Sequence, residues 1–207
     1  MGFQLSDFAA KRPVAYHVTR QENLPLIRAS RALYSAGKLL TLGGREDLLR
    51  AQRRGNITLQ VGEHSAIVRD QDRLVAGSLD LAPGISLPDY IAYLNRWIFF
   101  WPGDWQAPSS RTKDIASATG EVAVIRISVT ALFSRNAGLT PAFSQVNSGA
   151  ARHHTGKPAK RDLNVHRRAG IFRTKATDVV EMVFEDEAML PDNAEVAQSI
   201  SGPWSAL

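Results

Sequence analysis

The sequence contains no cysteine. Disulfides, cysteine-based zinc sites and a thiol nucleophile are therefore excluded, and a cytoplasmic location is the expectation. No apolar run approaches the ~20 residues of a membrane-spanning helix, and the longest run, 97–101, is only strand-sized. The first residues have no basic segment leading into an apolar one, so we expect neither a secretory signal nor contact with a membrane.

Several catalytic and ligand-binding signatures are missing as well. There is no Gly-x-Ser-x-Gly motif of a serine hydrolase. Residues 149–157 resemble a phosphate-binding loop, but Pro158 stands where that loop requires Ser or Thr. His153 and His154 are adjacent and diverge on regular structure, and together with His166 they lack a clear carboxylate or cysteine partner. We therefore expect no metal site.

The charges are unevenly distributed along a chain whose composition is that of one globular domain, residues 1–207. Residues 1–60 carry ten Lys or Arg against four Asp or Glu, and residues 152–175 carry eight against one. Residues 178–207 hold seven acids and no base. The two basic regions predict a surface for nucleic acid or a phosphorylated cofactor. The alternative, that these basic regions simply face solvent, fits a net charge of only +5 equally well.

The most informative local pattern lies near the N-terminus. Residues 14–18 read as a strand, and Thr19 with Glu22 three residues later is typical of a capping box that starts a helix. Pro25 fits the first turn of that helix. His17 then stands at a strand end beside a helix N-terminus, where a polar ligand can be held. The alternative is a buried structural histidine.

Further elements follow from hydrophobic periodicity and turn residues. They are a helix between Asp47 and Gly55, a hairpin of 57–61 and 65–69, a helix over 89–95, strands at 97–101, 121–129 and 179–184, and an irregular segment at 143–170. The strand at 97–101 is expected to stop at Pro102. Dispersed strands without βαβ alternation predict an α+β fold and argue against a Rossmann fold.

The pattern Tyr16-His17-x-Thr19, continued by Asn23, Leu24 and Ile27, resembles the opening of the ADP-ribosyltransferase fold. It is most similar to DarT-like toxins, which ADP-ribosylate thymidine in DNA, and also resembles RNA 2′-phosphotransferases. Further stretches that resemble this family follow in the same order, at 67–73, 96–102, 143–150 and 177–183. An uncharacterised bacterial group shares the Arg-Asp-Gln block at 69–71 and the Leu-Asn-x-x-x-Phe-Phe-Trp-Pro block at 94–102.

The resemblance implies split antiparallel β-sheets with flanking helices, and NAD as the substrate. Cleavage of the nicotinamide–ribose bond builds an oxocarbenium-like sugar, which a carboxylate can stabilise. Glu181 is the candidate because it interrupts an apolar strand, although an outward-facing Glu on a one-sided strand is the alternative. Arg69 is the second catalytic candidate.

The resemblance also implies residues that contact the cofactor. His17 would bind an NAD ribose, and Thr19 would hold the neighbouring loop or contact NAD. Either Arg69 or Arg73 would bind the pyrophosphate. Phe99 and Phe100 point to opposite faces of a strand, so only one of them can face the cofactor. The remaining cofactor candidates are Asn23 and Asn147, of which the latter is equally acceptable as a turn residue.

The leading hypothesis is an NAD-binding ADP-ribosyltransferase that modifies a macromolecule, with nucleic acid favoured over protein. The candidate contacts to DNA or RNA are Arg152, Lys157, Lys160, Arg161, Arg167 and Arg168. An NAD glycohydrolase, an RNA 2′-phosphotransferase-like enzyme and a non-catalytic nucleotide- or partner-binding member of the fold are the alternatives. A toxin or defence role is compatible with the resemblance, and whether an antitoxin or another protein partner exists is open.

Overall fold

A computed structural model describes residues 2–72, 74, 77, 79–104, 112, 121–149, 159–172 and 175–207. The helices are α1 (Leu5–Lys11), α2 (Leu24–Ser30), α3 (Ala36–Leu42), α4 (Leu87–Asn95) and α5 (Val129–Arg135), with 3₁₀ turns at Gln21–Asn23, Glu46–Leu48, Ala169–Ile171 and Ala176–Asp178. The strands are β1 (Val14–Arg20), β2 (Ala32–Tyr34), β3 (Ile57–Val61), β4 (His64–Val68), β5 (Leu79–Leu81), β6 (Trp97–Gly103), β7 (Val122–Ser128), β8 (Ala142–Ser144), β9 (Ala159–Arg161), β10 (Arg167–Arg168), β11 (Glu181–Glu185), β12 (Glu187–Met189), β13 (Glu195–Ala197) and β14 (Ser205–Ala206).

Eight of these strands form one antiparallel sheet in the order β10-β8-β11-β6-β1-β7-β13-β14. Three small pairs flank it: β2 with β12 and β3 with β4 are antiparallel, and β5 with β9 is parallel. The expected α+β class with antiparallel sheets is confirmed.

The large sheet divides at β6, because the two halves of this strand pair with different strands. Residues 97–100 pair with β11, and residues 101–103 pair with β1. Beyond Tyr16, β1 leaves β6 but stays paired with β7 as far as Arg20. The diverging segments, 17–20 of β1 and 97–100 of β6, form what we call the fork.

The strand β6 continues through Pro102 to Gly103, although the sequence predicts that it stops before them. Pro102 lies in the part of β6 that pairs with β1 after the pairing with β11 has ended. A proline is tolerated in a strand that has a ladder on one side only, because its missing N–H can face the open side.

Both faces of the sheet are covered by apolar side chains, and the faces alternate along each strand. Ile98 and Phe100 of β6 pack with Phe8 of α1 and Leu132 of α5 on one face. Trp101 packs with Val14, Tyr16 and Val124 on the other face. Burial on both faces explains the consecutive apolar residues of β7.

Several local predictions hold and others do not. Pro25 does lie in the first turn of α2, and α4 begins with a capping box between Ser86 and Asp89. The capping box expected from Thr19 is wrong, because Thr19 belongs to β1.

The helix expected after Asp47 is reduced to a 3₁₀ turn, whereas α3, capped by Ser35, has no counterpart in the prediction. The segment 143–170, expected to be irregular, includes β9, β10 and most of β8. Cross-strand partners distant in sequence, such as β11 for β8, stabilise these short strands where local pattern does not.

Asn23 joins the hairpin β3–β4 to the end of β1. Its Nδ2 donates to Thr19 Oγ1 at 2.9 Å and to the Ile67 carbonyl at 3.0 Å, while its Oδ1 accepts the Ile67 N–H at 2.6 Å. The amide is 7% exposed. A single buried side chain therefore fixes the position of β4 relative to β1.

We predict that Asn23→Ala destabilises the protein by about 2–3 kcal/mol, because it removes these bonds and leaves polar groups of Ile67 without a partner. Urea denaturation measures the change. Asn164→Ala, at an exposed position, is the control and should stay within about 0.5 kcal/mol of the wild type. Equal losses in the two variants would contradict the prediction.

Candidate functional site

His17 stands at the point where the fork opens. Its Nδ1 lies 2.9 Å from the carbonyl oxygen of Phe99, and its ring centroid lies 5.7 Å from that of Phe100. Since a carbonyl only accepts, Nδ1 carries the proton and donates it, and Nε2 keeps a lone pair. The Phe99 carbonyl belongs to the part of β6 that β1 has left, so a side chain takes the place of a ladder donor.

The surroundings of His17 keep its ring neutral at physiological pH. Burial lowers the pKa of His17 to about 4, and the positive charge of Arg69 acts in the same direction. The hydrogen bond with the Phe99 carbonyl opposes this shift. The fork therefore presents an uncharged imidazole within the electrostatic influence of a guanidinium.

Arg69 reaches this position through the hairpin that Asn23 holds. It follows directly after β4, two residues beyond the bonded Ile67, and its carbonyl accepts from Arg53 Nε at 2.9 Å. Arg69 itself is half-buried. The charge of Arg69 thus acts on His17, although the two residues are 52 positions apart in the sequence. Arg73 lies outside the described residues.

Arg53 is a buried structural residue beside Arg69 that the sequence does not reveal. It is 5% exposed, and its Nη1 donates to Asn95 Oδ1 at 3.1 Å. Gln71 Nε2 donates to the same oxygen at 3.3 Å. Burial lowers the pKa of Arg53 to about 10, and the charge of Asp70 opposes the shift. The Arg-Asp-Gln and Leu-Asn blocks therefore meet around Arg53, which the sequence places only at the end of a predicted helix.

Glu181 lies at the start of β11 and is completely buried. Its Oε1 accepts the Ser148 hydroxyl at 2.7 Å, and its Oε2 accepts the Ser148 N–H at 3.2 Å. The alternative of an outward-facing Glu181 is therefore wrong: the strand is covered on both faces, and the carboxylate is bonded inside.

His166 is the second partner of Glu181, and the sequence gives no sign of this contact. Its Nε2 lies 2.7 Å from Glu181 Oε1, and its Nδ1 lies 2.7 Å from the Tyr93 hydroxyl. Burial raises the pKa of Tyr93 to about 12, so this hydroxyl keeps its proton. The expectation that His166 has no carboxylate partner is wrong, because Glu181 approaches it from another strand and leaves no spacing signal.

Phe99 connects the two groups of residues. Its carbonyl accepts from His17, and its ring centroid lies 6.0 Å from that of His166. The register gives Glu181 the face of Phe99, whereas the ring of His17 lies against Phe100. The side chains of His17 and Glu181 thus flank β6 at the same level of the fork, on opposite faces of the sheet.

The other cofactor candidates have distinct environments. Phe100 is fully buried in the core, so Phe99, which is half-buried, is the one that retains exposed surface. Thr19 and Asn23 are buried and bond to each other. Asn147 is half-buried, and its carbonyl accepts from Arg161 Nη2 at 3.3 Å.

The basic residues that the sequence predicts as nucleic-acid contacts differ in their exposure to solvent. Lys160, Arg167 and Arg168 are exposed, and the two arginines form β10, one of the two edge strands of the large sheet. Arg161 is buried and donates to main-chain carbonyls, including that of Lys160. This differs from the exposed phosphate contact that the sequence predicts for it, because β9 turns Arg161 inward. Arg152 and Lys157 lie outside the described residues.

Within the described ranges, no helix has the length and apolar character needed to cross a membrane. Among the same residues, no three His, Asp or Glu side chains are grouped as a metal site would require.

The profile of DUF7002, described as a family of unknown function, matches residues 13–192, and the chain belongs to this family. The matched region includes every site residue discussed above. No curated protein and no solved structure matches the chain.

We predict that His17 makes the stability of the protein depend on pH between about 4 and 6.5. In this window the unfolded chain binds a proton at His17 and the folded protein does not, so acidification lowers the stability. His17→Asn keeps a donor for the Phe99 carbonyl but cannot titrate. Its melting temperature should fall less than that of the wild type from pH 6.5 to 4, and equal slopes would contradict the prediction.

Proposed function

We propose that this member of the DUF7002 family adopts an ADP-ribosyltransferase-like fold, binds NAD at the fork and transfers ADP-ribose to a macromolecule. The observation that carries the proposal is the fork itself. An antiparallel sheet splits at β6, and a neutral His17 and Arg69 stand at the split. These are two of the residues that the resemblance assigns to NAD.

The chemistry of the two side chains suits a dinucleotide. His17 Nε2, with its lone pair, can accept a hydrogen bond from a ribose hydroxyl. The guanidinium of Arg69 matches the geometry and charge of a pyrophosphate. Asn23 and Thr19, which bond each other and β4, would hold this arrangement in place.

Glu181 is the proposed group for the chemical step. When the bond between ribose C1′ and nicotinamide breaks, its electron pair stays with the nicotinamide nitrogen, which leaves neutral. The acceptor atom then bonds to C1′ and loses a proton. A carboxylate in a buried setting stabilises the positive sugar strongly, because little water screens it.

A non-catalytic, nucleotide-binding role is the second candidate, and a specific observation favours it. Glu181 is fully buried, receives hydrogen bonds from Ser148 and His166, and lies on the face of the sheet opposite His17. In such a protein these bonds would serve stability alone, and NAD or another nucleotide would bind without being cleaved.

Incubation with labelled NAD and separate DNA, RNA and protein pools tests these functions. Release of nicotinamide with label in one pool supports the transferase, and release without transfer indicates an NAD glycohydrolase. An RNA carrying a 2′-phosphate tests the phosphotransferase alternative. Calorimetric binding of NAD without turnover indicates the non-catalytic role.

We predict that Glu181→Gln lowers nicotinamide release by about 100- to 1,000-fold, because it removes the charge opposed to the oxocarbenium ion. The amide also places an NH₂ group among donors, so the melting temperature should fall, and turnover must be measured well below it. Glu185→Gln, at an exposed glutamate bonded to Arg96, is the control. Wild-type turnover in folded Glu181→Gln would reject the catalytic role.

We predict that nucleic-acid binding depends on salt and on the exposed bases of β9 and β10. Replacing Lys160, Arg167 and Arg168 by Gln should reduce the slope of log K against log salt by about 0.9 for each lost phosphate contact with duplex DNA. Titration at several salt concentrations measures the slope.

The control for this charge change carries the same substitution at three exposed bases elsewhere, Lys11, Arg28 and Arg135. An equal reduction of the slope in both triple variants would mean that binding depends on net charge alone and not on the position of the bases. Salt-independent binding would leave these bases as a solvated face.

A further inference from the structure

We infer that His166 is a positioning residue for Glu181: together with Ser148 it fixes Oε1 and so holds the carboxylate in one orientation. This inference rests on the proposed function. It starts from an unusual feature: an imidazole and a carboxylate that are both withdrawn from solvent and lie 2.7 Å apart. The proposed NAD contacts at the fork do not account for this pair.

The two oxygens of Glu181 are occupied unequally. Oε1 accepts from both Ser148 Oγ and His166 Nε2, each at 2.7 Å. Oε2 accepts the Ser148 N–H at 3.2 Å and, among the described residues, no second donor. Because a carboxylate oxygen can accept two hydrogen bonds, Oε1 is fully occupied, and its two donors set the orientation of the carboxylate.

The orientation of His166 is set by Tyr93. The main-chain N–H of His166 donates to the Tyr93 oxygen at 3.1 Å, and the Tyr93 hydroxyl meets Nδ1 at 2.7 Å. A hydroxyl that already accepts from the main chain can donate its own proton to Nδ1. Nε2 then carries the ring proton and donates it to Glu181, so that both ring nitrogens of His166 and the Tyr93 hydroxyl have a hydrogen-bond partner.

Two tyrosines of α4 hydrogen-bond to the two residues that bind the Glu181 carboxylate. Tyr90, one turn before Tyr93, donates its hydroxyl to the Ser148 carbonyl at 3.0 Å. Residues three apart on a helix share one face, so the two tyrosines hold Ser148 and His166 from a single rigid element. Among the described residues, the charge of Arg161 acts on Tyr90 and the charge of Asp162 acts on Tyr93.

The ring of His166 is also confined by aromatic neighbours. Its centroid lies 5.4 Å from that of Trp97 and 5.6 Å from that of Tyr93. These contacts limit rotation of the imidazole, so the proton on Nε2 stays directed at Oε1.

The arrangement does not suit nucleophilic catalysis by Ser148. In a serine triad the histidine lies between the hydroxyl and the acid and takes the hydroxyl proton. Here Glu181 lies between Ser148 and His166, and the hydroxyl donates to the carboxylate. The cluster therefore orients a carboxylate.

Replacement of His166 by Phe tests the inference, since it keeps a ring and removes both hydrogen bonds. We expect kcat for nicotinamide release to fall about 10- to 100-fold, as for other residues that orient a functional group, with the Kd of NAD unchanged. His166→Gln, which restores a donor toward Oε1, should recover part of the loss. His64→Gln, at a half-exposed histidine of β4, is the control and should match the wild type.

A readout that does not depend on activity separates this inference from the proposed function. Nitrogen NMR of the histidine rings should show the His166 proton on Nε2, and the Nε2 signal should shift in Glu181→Gln. In Tyr93→Phe, which keeps the helix and the ring, the Nδ1 signal should shift. A proton on Nδ1, or wild-type kcat in folded His166→Phe, would overturn the positioning role.

An inactive wild type would reject the proposed function, and the ring-nitrogen signals would then decide the orientation of His166 on their own. A fall in melting temperature without a fall in kcat per folded molecule would assign His166 to stability alone and overturn the inference.

Discussion

A β-strand can satisfy its main-chain hydrogen bonds with one neighbour on each side, and β6 divides its length between β11 and β1. The division frees main-chain groups of β6 that must find other partners. His17 supplies one of them by donating to the Phe99 carbonyl. The split therefore fixes the tautomer of His17 and opens the fork. Glu181 lies on β11 and His17 on β1, the two neighbours of β6.

Two groups of polar contacts hold the elements on either side of this split. Asn23 fixes the hairpin β3–β4 to the end of β1, and Arg53 binds the segment after that hairpin to the end of α4. Since both side chains are buried, their hydrogen bonds are costly to break. The position of Arg69 near His17 is thus a consequence of contacts made by residues on either side of it.

The buried carboxylate of Glu181 also carries a free-energy cost that other groups must offset. Removing a charged carboxylate from water is costly unless donors surround it, and Ser148 and His166 supply three hydrogen bonds. The same low-dielectric setting that makes burial costly would make the charge effective toward a positive transition state. Stability and catalysis would therefore use the same contacts, which is why kinetic and thermal measurements on one variant are needed together.

The sequence by itself determined the α+β class, the four longest strands of the large sheet, the hairpin and α4, because hydrophobic periodicity, turn residues and caps act over a few neighbouring residues. It also singled out His17, Arg69 and Glu181. Only the tertiary structure decided that Phe100 is core and that His166 binds Glu181. A period of two does not say which face of a strand meets which layer, and hydrogen bonds between distant segments leave no regular spacing in the chain.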